Sequence, residues 1–412
     1  MAGWRVDHQC PQCGAPVTLA ESDRLFICPY CRVCLYLATP GACRYYLPPA
    51  DRDDDELFYV PYWRAKGMLF SCRGHQIAKR LLDTSIRAVE IQGFPQSLGF
   101  RPQSLPLRFV TPEVSGSFLA VETPLKTSVE DLHRRRLAAG SGKMDFSAFI
   151  GEECSLIYAP VKRVGENHFQ DAIDSKKLPG ISAASLDDRL QKEPLADSAL
   201  SFVPALCPAC GWDLKGERDS LVLLCDNCHT AWKASLAGLQ PVLASVFPPE
   251  DKQGILQIPF WRLRVEIDGL EIHSYADLVR QANLPKMIEP AWNERPASFW
   301  VPAFKIQPRL FLRLAKNMTI IQPSEEPECH IDASRFYPVT MTANEASESL
   351  AVLLATMILP RQRIFPLLPH LHITLHDARL MFQPFKLQGP DIIEPHSSMA
   401  LNRNALRWGR SI

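Results

Sequence analysis

Eight of the thirteen cysteines lie in four C-x-x-C pairs, and their spacing is the clearest sign of chemistry in the sequence. The pairs are Cys10/Cys13, Cys28/Cys31, Cys207/Cys210 and Cys225/Cys228. Cys28 lies 18 positions after Cys10, and Cys225 lies 18 positions after Cys207, so both sets read C-x₂-C-x₁₄-C-x₂-C. Four thiolates at such spacing are typical of a tetrahedral Cys₄ zinc site. The sequence therefore predicts two structural Zn²⁺ ions per chain, with these eight cysteines as ligands.

A redox function for the second pair is the alternative interpretation. Cys28-Pro29-Tyr30-Cys31 resembles the redox-active motif of glutaredoxins, in which nearby positive charge lowers the pKa of one thiol. The corresponding pair, Cys225-Asp226-Asn227-Cys228, is not typical of a redox pair, and both sets keep an upstream partner pair. Metal ligation is therefore favoured. Cys34 extends the first set, but its counterpart is Ala231, so we do not predict it as a ligand. The unpaired cysteines are predicted to be buried apolar residues: Cys43, Cys72, Cys154 and Cys329.

Three landmarks recur in the same order in both halves of the chain, which predicts a tandem duplication. Each set of cysteines comes first. Val60-Pro61-Tyr62-Trp63-Arg64 then corresponds to Ile258-Pro259-Phe260-Trp261-Arg262, and the segment 156–162 corresponds to 380–386. The second half has gained residues between its second and third landmarks. The two tryptophans lie in apolar strand patterns, so we expect them in the core rather than on a ligand platform.

The predicted fold class is mainly β, with α+β character at the margins. Proline makes up 35 of 412 residues, which disfavours long helices, and the repeated landmarks read as strands. Two helices are expected, over 129–139 and over 346–358, the second behind a capping box of Thr342 and Glu345. The predicted division is a zinc ribbon (1–42), a β-rich domain (43–180), a linker (181–201), a second ribbon (202–238), a second β-rich domain (239–392) and a C-terminal tail (393–412).

The cysteine pattern resembles the zinc-ribbon superfamily, which includes ribbons of transcription factors and the zinc region of primosomal helicases. The cysteine ribbon followed by [VI]-P-[YF]-W-R and a later [YF]-x-P is similar to poorly characterised bacterial proteins in which a ribbon precedes a β-rich domain. The resemblance implies two tandem ribbon-plus-β units. No G-x-x-x-x-G-K-[ST] pattern occurs, so helicase activity is not implied. Each ribbon is expected to be an independent, metal-dependent module.

The charge of the chain argues against nucleic acid as its partner. Lys and Arg number 45, as do Asp and Glu, and each sign is carried by 24 residues in 1–200 and by 21 in 201–412. Proteins that bind phosphate backbones normally have a basic excess. No apolar run reaches the ~20 residues of a transmembrane segment, and no apolar signal segment precedes Cys10. These features predict a cytoplasmic protein whose partners are other proteins.

Three histidines are the remaining candidates for chemistry. His370, His372 and His376 occupy even positions, so in an extended strand they would share one face and could share a metal. The alternating Leu371, Ile373 and Leu375 favour an ordinary amphipathic strand instead. With no nucleophile–base pattern in the sequence, the expected function is a non-enzymatic, zinc-stabilised scaffold or adaptor. The alternatives are a nucleic-acid-associated zinc-ribbon factor and a metalloenzyme that uses the three histidines.

Overall fold

The structure is a computed structural model of the chain. It describes residues 4–39, 41–51, 56–137, 145–151, 155–166, 168–191, 200–249, 253–284, 286–323, 332, 335–396 and 399–410. Strands predominate over helices, which confirms the prediction of a mainly β protein with few helices.

The first half contains two sheets. The first ribbon is formed by β1 (Arg5–Gln9), β2 (Pro16–Ala20), β3 (Leu25–Ile27) and β4 (Cys34–Ala38). The elements that follow are β5 (Cys43–Tyr46), β6 (Leu57–Arg73), β7 (Gln76–Arg87), α1 (Arg101–Ser104), β8 (Leu107–Phe109), β9 (Ser117–Leu119), α2 (Leu125–Leu137), β10 (Phe146–Ile150), β11 (Ser155–Arg163), β12 (Phe169–Asp171), β13 (Lys177–Leu178), α3 (Ala183–Asp187) and β14 (Leu190–Gln191). The large sheet has the order β14-β9-β6-β11-β5-β8-β1-β2, with β7 and β10 also paired to β6.

The second half is built around a smaller sheet. Its strands are β15 (Ser201–Pro204), β16 (Leu223–Leu224), β17 (Ala231–Ser235), β18 (Gly238–Val242), β19 (Ala244–Val246), β20 (Ile255–Asp268), β21 (Phe299–Pro302), β22 (His372–Gln388), β23 (Asp391–Ile393) and β24 (Ala400–Asn402). Its helices are α4 (Tyr275–Gln281), α5 (Pro308–Ile321), α6 (Ala343–Glu348), α7 (Leu350–Met357), α8 (Arg361–Ile364) and α9 (Arg403–Gly409). The sheet has the order β21-β20-β22-β23-β24, with β19 parallel to β22.

The two halves share a strand arrangement and a register. Trp63 pairs with Leu156 between β6 and β11, and Trp261 pairs with Leu380 between β20 and β22. In each half a third strand adds antiparallel to the tryptophan strand, β7 in the first and β21 in the second. A short strand, β5 or β19, runs parallel to the partner strand. The second and third sequence landmarks thus occupy corresponding places in the two halves.

The prolines of the landmark lie where they interrupt no strand pairing. The ladder of β7 on β6 ends at Tyr62, and the carbonyl of Pro61 accepts the N–H of Ala88. In the second half the carbonyl of Pro259 accepts the N–H of Ala303 in the same way. The backbone N and C=O of a strand residue point towards the same neighbouring strand. Each proline nitrogen therefore faces the side of β7 or β21, but at a position just past the end of that strand's pairing. A missing donor there costs no ladder bond.

The tryptophans are positioned by the same kind of contact. Trp63 Nε1 donates to the carbonyl of Thr123 at 2.7 Å, just before α2, and Trp261 Nε1 donates to the carbonyl of Met341 at 2.8 Å, just before α6. Trp261 is buried and Trp63 is half-buried. Both side chains pack on hydrophobic core, as the sequence predicted.

The helices differ in part from their predicted bounds. The capping box of Thr342 and Glu345 is present at the start of α6, and Ser349 separates α6 from α7. The first predicted helix begins four residues earlier, at Leu125. Sequence reasoning missed α4 and α5, which lie in the residues gained by the second half. A capping box at Ser274 and a proline at the start of α5 were the signals for them.

One hydrophobic core spans both halves. The far end of the β6–β7 hairpin contributes Met68, Phe70 and Cys72 to the cluster that contains α5 and α7. Helix α5 packs against both β6 and β7. Where the antiparallel pairing of β10 with β6 ends, Gly67 allows close approach of the two backbones, because a Cβ there would lie 2.4 Å from the carbonyl oxygen of Ile150. The two β-rich parts are therefore packed together as one body.

Candidate metal centres

Each cysteine pair of the first ribbon closes a tight loop with the same hydrogen bonds. The N–H of Cys10 donates to the carbonyl of Ala15, and the N–H of Gly14 donates back to the carbonyl of Cys10, both at 2.8 Å. At the second pair, the N–H of Cys28 donates to Val33 and the N–H of Arg32 donates to Cys28. The residue four positions after the first cysteine has positive φ in both loops, at 71° for Gly14 and 61° for Arg32. This left-handed residue turns the chain so that both sulfurs point to one side.

The second ribbon repeats this loop geometry. The N–H of Cys207 donates to the carbonyl of Trp212, and the N–H of Gly211 donates to Cys207. The N–H of Cys225 donates to the carbonyl of Thr230. The left-handed residues are Gly211 and His229, with φ of 72° and 56°. We call the four loops the knuckles.

The knuckles bring four sulfurs together in each ribbon. In the first, Cys10 Sγ lies 3.8 Å from Cys31 Sγ, and Cys13 Sγ lies 3.7 Å from Cys28 Sγ. In the second, the corresponding separations, Cys207–Cys228 and Cys210–Cys225, are both 3.5 Å. Every pair of sulfurs within a group lies within 4.8 Å. A tetrahedron with Zn–S bonds of about 2.3 Å has edges of about 3.8 Å, so both groups have the size that zinc requires.

Both metal centres lie at the surface with half of their ligands covered. The first cysteine of every pair is buried, and the second is exposed or partly exposed. Each group could hold one metal ion through its four cysteines, so the two groups together contain all eight predicted ligands. Four protein thiolates complete a tetrahedral shell and leave no position for an activated water, which is the arrangement of structural rather than catalytic sites.

The pKa values of the thiols reflect their crowding. Burial opposes ionisation of Cys28, but backbone N–H groups of Cys31 and Tyr30 outweigh it and lower the pKa of Cys28 to about 6. The N–H of Val33 favours ionised Cys31, yet burial and the neighbouring sulfurs together raise the pKa of Cys31 to about 12. In the second ribbon the pKa of Cys207 is lowered to about 6, against the effect of burial. Adjacent thiolates disfavour one another, and a divalent cation is the group that relieves this repulsion.

The second centre has a hydroxyl beside its sulfurs. Thr230 Oγ1 lies 3.0 Å from Cys228 Sγ and 3.6 Å from Cys207 Sγ, and it accepts a hydrogen bond from Trp232 Nε1 at 2.8 Å. Its own proton is thereby free to be donated to sulfur. Val33 holds this position in the first ribbon, so only the second centre has such a hydroxyl.

Among the described residues, no further cysteine belongs to either sulfur group. Cys34 is half-buried and belongs to neither sulfur group. Cys43 and Cys72 are buried, as predicted, whereas Cys154 and Cys329 lie outside the described residues.

The three histidines are exposed and are not gathered into a site. His370 ends a 3₁₀ turn, His372 begins β22, and His376 lies at a bulge where the pairing of β20 with β22 shifts. From His372 to His376 exposed and half-buried residues alternate, as in an amphipathic strand, whereas His370 lies in the turn that precedes it. His376 Nε2 lies 3.1 Å from Glu266 Oε2. Among the described residues, the two cysteine groups are the ones that bring together three or more metal donors.

The two ribbons are packed side by side and joined by backbone pairing. Strand β15, which leads into Cys207, pairs antiparallel with β4 of the first ribbon, so the three-stranded sheet β15-β4-β3 contains parts of both. The N–H groups of Arg24 and Leu25 donate to the carbonyl of Arg218 at 2.6 and 2.9 Å. Tyr36 Oη, buried in the first ribbon, donates to the carbonyl of Ser220 at 3.0 Å.

A small hydrophobic cluster joins the ribbons. Leu25 and Tyr36 come from the first ribbon, whereas Leu223, Trp232 and two of the ligands come from the second. The ligands are Cys207 and Cys225. Strand β15 spans the predicted boundary between the linker and the second ribbon. The prediction of two independent ribbons did not anticipate that they share packing.

Charged residues attach each ribbon to its β-rich neighbour. Glu21, just after β2, forms a buried ion pair with Arg64 of β6 at 3.2 Å, and the guanidinium lies 3.8 Å from the ring centre of Trp4. In the second ribbon, Asp219 pairs with Arg410 at 2.6 Å. These pairings involve residues far apart in sequence, and no local pattern pointed to them.

A cavity of about 320 Å³ lies between the two halves. It is lined by α2, β10, α6 and the start of β22, and the Lys126–Glu348 ion pair joins the halves at its wall. None of the eight predicted ligands lines it.

No protein-family model, curated protein or solved structure matches the chain. None of the helices in the described part of the chain is long and apolar enough to cross a membrane. The class of protein that the fold and the site define is therefore a mainly β protein with two Cys₄ groups suited to metal binding.

Proposed function

We propose that this protein is a non-enzymatic, zinc-stabilised adaptor of the cytoplasm that holds other proteins in a fixed geometry. The observation that carries the proposal is the pair of closed Cys₄ groups with exposed apolar side chains on their knuckles. Such groups supply structure rather than reactivity, because all four coordination positions belong to the protein.

Zinc is the metal that the ligand set favours. Sulfur-only tetrahedral sites suit zinc or iron. The two sets are alike in spacing and in sulfur separation, so we expect both to bind the same metal. Metal analysis of protein purified without added metal should give about two equivalents of zinc. One equivalent, or iron as the native metal, would contradict the proposal.

The proposed contact surface is the apolar side of the paired ribbon tips. Ile27 precedes Cys28, Tyr30 lies inside the same knuckle, Leu206 precedes Cys207, and Trp212 follows Gly211. Their exposed fractions are 62%, 64%, 48% and 56%. We refer to these four residues as the tip patch.

The sheet shared by the ribbons places two members of the tip patch, Ile27 and Leu206, on either side of β4. Ile27 pairs with Cys34, and the carbonyl of Cys34 accepts the N–H of Ala205, next to Leu206. Side chains that a metal-bound loop already holds in place lose little conformational entropy when they bind a partner. Aromatic residues of this kind are the ones that contribute most to protein interfaces.

The balance of charge favours a protein partner over nucleic acid. The chain has no net charge, and basic residues of the ribbons are paired with acids, such as Lys215 with Asp226 and Arg218 with Asp23. Binding through apolar contacts depends little on salt, whereas six to ten phosphate contacts lose about 10³- to 10⁵-fold in affinity between 50 and 200 mM salt. Binding of a DNA or RNA probe that is released at 200 mM salt would replace the adaptor with the nucleic-acid-associated alternative.

The test compares two exposed tryptophans under native expression. Trp212→Ser removes the largest member of the tip patch, and Trp408→Ser is the matched control, because Trp408 is similarly exposed and lies on α9, outside the knuckles. Cross-linking followed by mass spectrometry identifies partners of the wild type. We expect Trp212→Ser to lose those partners at 150 mM salt while Trp408→Ser retains them. Equal recovery by both variants would exclude the tip patch as the contact surface.

We also infer that the two halves arose by tandem duplication. The support is the common register of the tryptophan strands and their partners, together with matching indole hydrogen bonds and four knuckles of one geometry. A duplicated framework with two cysteine groups suits an adaptor whose contact surface is formed by both ribbons.

A further inference from the structure

We propose that the two metal centres form one cooperative unit, so that a metal ion bound at one ribbon strengthens metal binding at the other. This inference goes beyond the adaptor function but assumes the metal content proposed above. Metal analysis tests that content separately, so failure of either statement can be recognised.

One three-stranded sheet contains parts of both ribbons. Strand β4 begins three residues after the ligand Cys31, and β15 ends three residues before the ligand Cys207. The N–H of Ala205 extends the pairing to within two residues of Cys207. The first ribbon therefore fixes the backbone that enters the second centre.

The hydrogen bonds that join the two ribbons are buried or close to the ligands. Tyr36 is 3% exposed, and its hydroxyl reaches Ser220, five residues before Cys225. The N–H groups of Arg24 and Leu25 reach Arg218 on the same loop. If the first ribbon opened, the carbonyl of Ser220 would lose a buried partner, which is costly for the folded second ribbon.

The two ribbons share one small hydrophobic cluster. Two ligands of the second centre, Cys207 and Cys225, lie in the same cluster as Leu25 and Tyr36. A ribbon is too small to bury a core alone, and its metal affinity is part of its folding free energy. Loss of the neighbour's side chains must therefore lower the affinity of the remaining site.

By linkage, the effect is reciprocal: each metal must change the affinity of the other site by the same factor. We expect a factor of at least ten. The coupling acts through backbone pairing and packed side chains, and it does not depend on the charge of the ligands.

The experiment uses the full chain with bound zinc and a competing chelator. Hydrogen exchange read by mass spectrometry reports the opening of each ribbon separately in one sample. Cys13→Ser and Cys210→Ser are a matched pair, since each removes the exposed second ligand of the first knuckle of its ribbon. We expect Cys13→Ser to lower at least tenfold the chelator concentration that opens the second ribbon, and Cys210→Ser to do the same to the first.

A change within twofold in both variants would overturn the proposal. The amides of β6 and β20 serve as the internal reference. If they lose protection together with the ribbons, the effect is general unfolding, and the proposal is again overturned.

A second variant keeps all eight ligands and guards against a cysteine variant that fails to fold. Tyr36→Phe removes only the hydroxyl that reaches Ser220, and Tyr30→Phe is its control, an exposed tyrosine of the same ribbon. Tyr36→Phe should make the second ribbon open at a lower chelator concentration, whereas Tyr30→Phe should leave it unchanged. Weakening confined to the first ribbon would mean that Tyr36 has a local structural role and that the centres are independent.

Discussion

Each of the four knuckles depends on a single residue in the left-handed conformation. Glycine fills this position in the first knuckle of each ribbon, as Gly14 and Gly211, whereas Arg32 and His229 fill it in the second. Residues with a Cβ pay a conformational cost there. The first knuckle of each ribbon therefore has the residue best suited to its backbone, and the second does not.

This difference predicts opposite effects of substitution. Gly14→Ala meets no atom within 4 Å, so its cost is conformational and should be about 1 to 2 kcal/mol of ribbon stability. Arg32→Gly should keep or slightly raise that stability. Zinc retention against a chelator measures both. Gly41→Ala, where φ is ordinary and the space is open, is the control and should change nothing.

The buried ion pair between Glu21 and Arg64 makes a second prediction at this scale. The side chain of Glu21 is 3% exposed, whereas the side chain of Asp83, the other partner of Arg64, is 46% exposed. Removing the buried carboxylate leaves Arg64 insufficiently compensated, so Glu21→Gln should cost about 3 kcal/mol. Asp83→Asn should cost at most about 1 kcal/mol, because water screens the exposed pair. Urea unfolding of the two variants measures the difference, and equal losses would contradict it.

At the scale of elements, the antiparallel pairing of β10 with β6 depends on the absence of a side chain at Gly67. Gly67→Ala would place a Cβ within 2.5 Å of backbone atoms of Ile150 and Gly151, which cannot move independently of β10. We expect β10 to separate from β6 and the thermal unfolding temperature to fall by several degrees. Rapid hydrogen exchange over Phe146–Ile150 would locate the damage. An unchanged exchange pattern would mean that the strands adjust at little cost.

Elements whose formation depends on local pattern were predictable, and those that depend on distant partners were not. The grouping of the eight cysteines into two sets of four followed from spacing alone, because each knuckle is local, and Thr342 and Glu345 marked the start of a helix that the structure contains. The pairing of β15 with β4 joins residues more than 160 positions apart, and no periodicity within either strand identifies its neighbour. The bulge at His376 shows the same limit, since no local pattern marked where the pairing of β20 with β22 shifts.

At the scale of the whole molecule, the core shared by the two halves predicts common unfolding. Phe70 belongs to the first half by sequence, yet it is fully buried in the cluster around α5 and α7. Phe70→Ala should therefore cost about 3 to 5 kcal/mol and destabilise both halves together. Calorimetry with hydrogen exchange of β11 and β22 tests this. Phe100→Ala, at an exposed site, should stay within about 0.5 kcal/mol of the wild type. Loss of protection in β11 alone would show that the halves unfold separately.

The joining of β15 to β4 also has a consequence for the order in which the chain is made. During synthesis from the N-terminus, β3 and β4 can pair as soon as the first ribbon emerges, but the other edge of β4 waits until Ser201–Pro204 has been added. Until then the nascent chain exposes an unpaired strand edge that accepts any compatible strand. A chain cut before residue 200 would keep that edge permanently open. We expect such a fragment to associate with copies of itself through β4, and light scattering of fragment 1–190 beside the full chain would detect it.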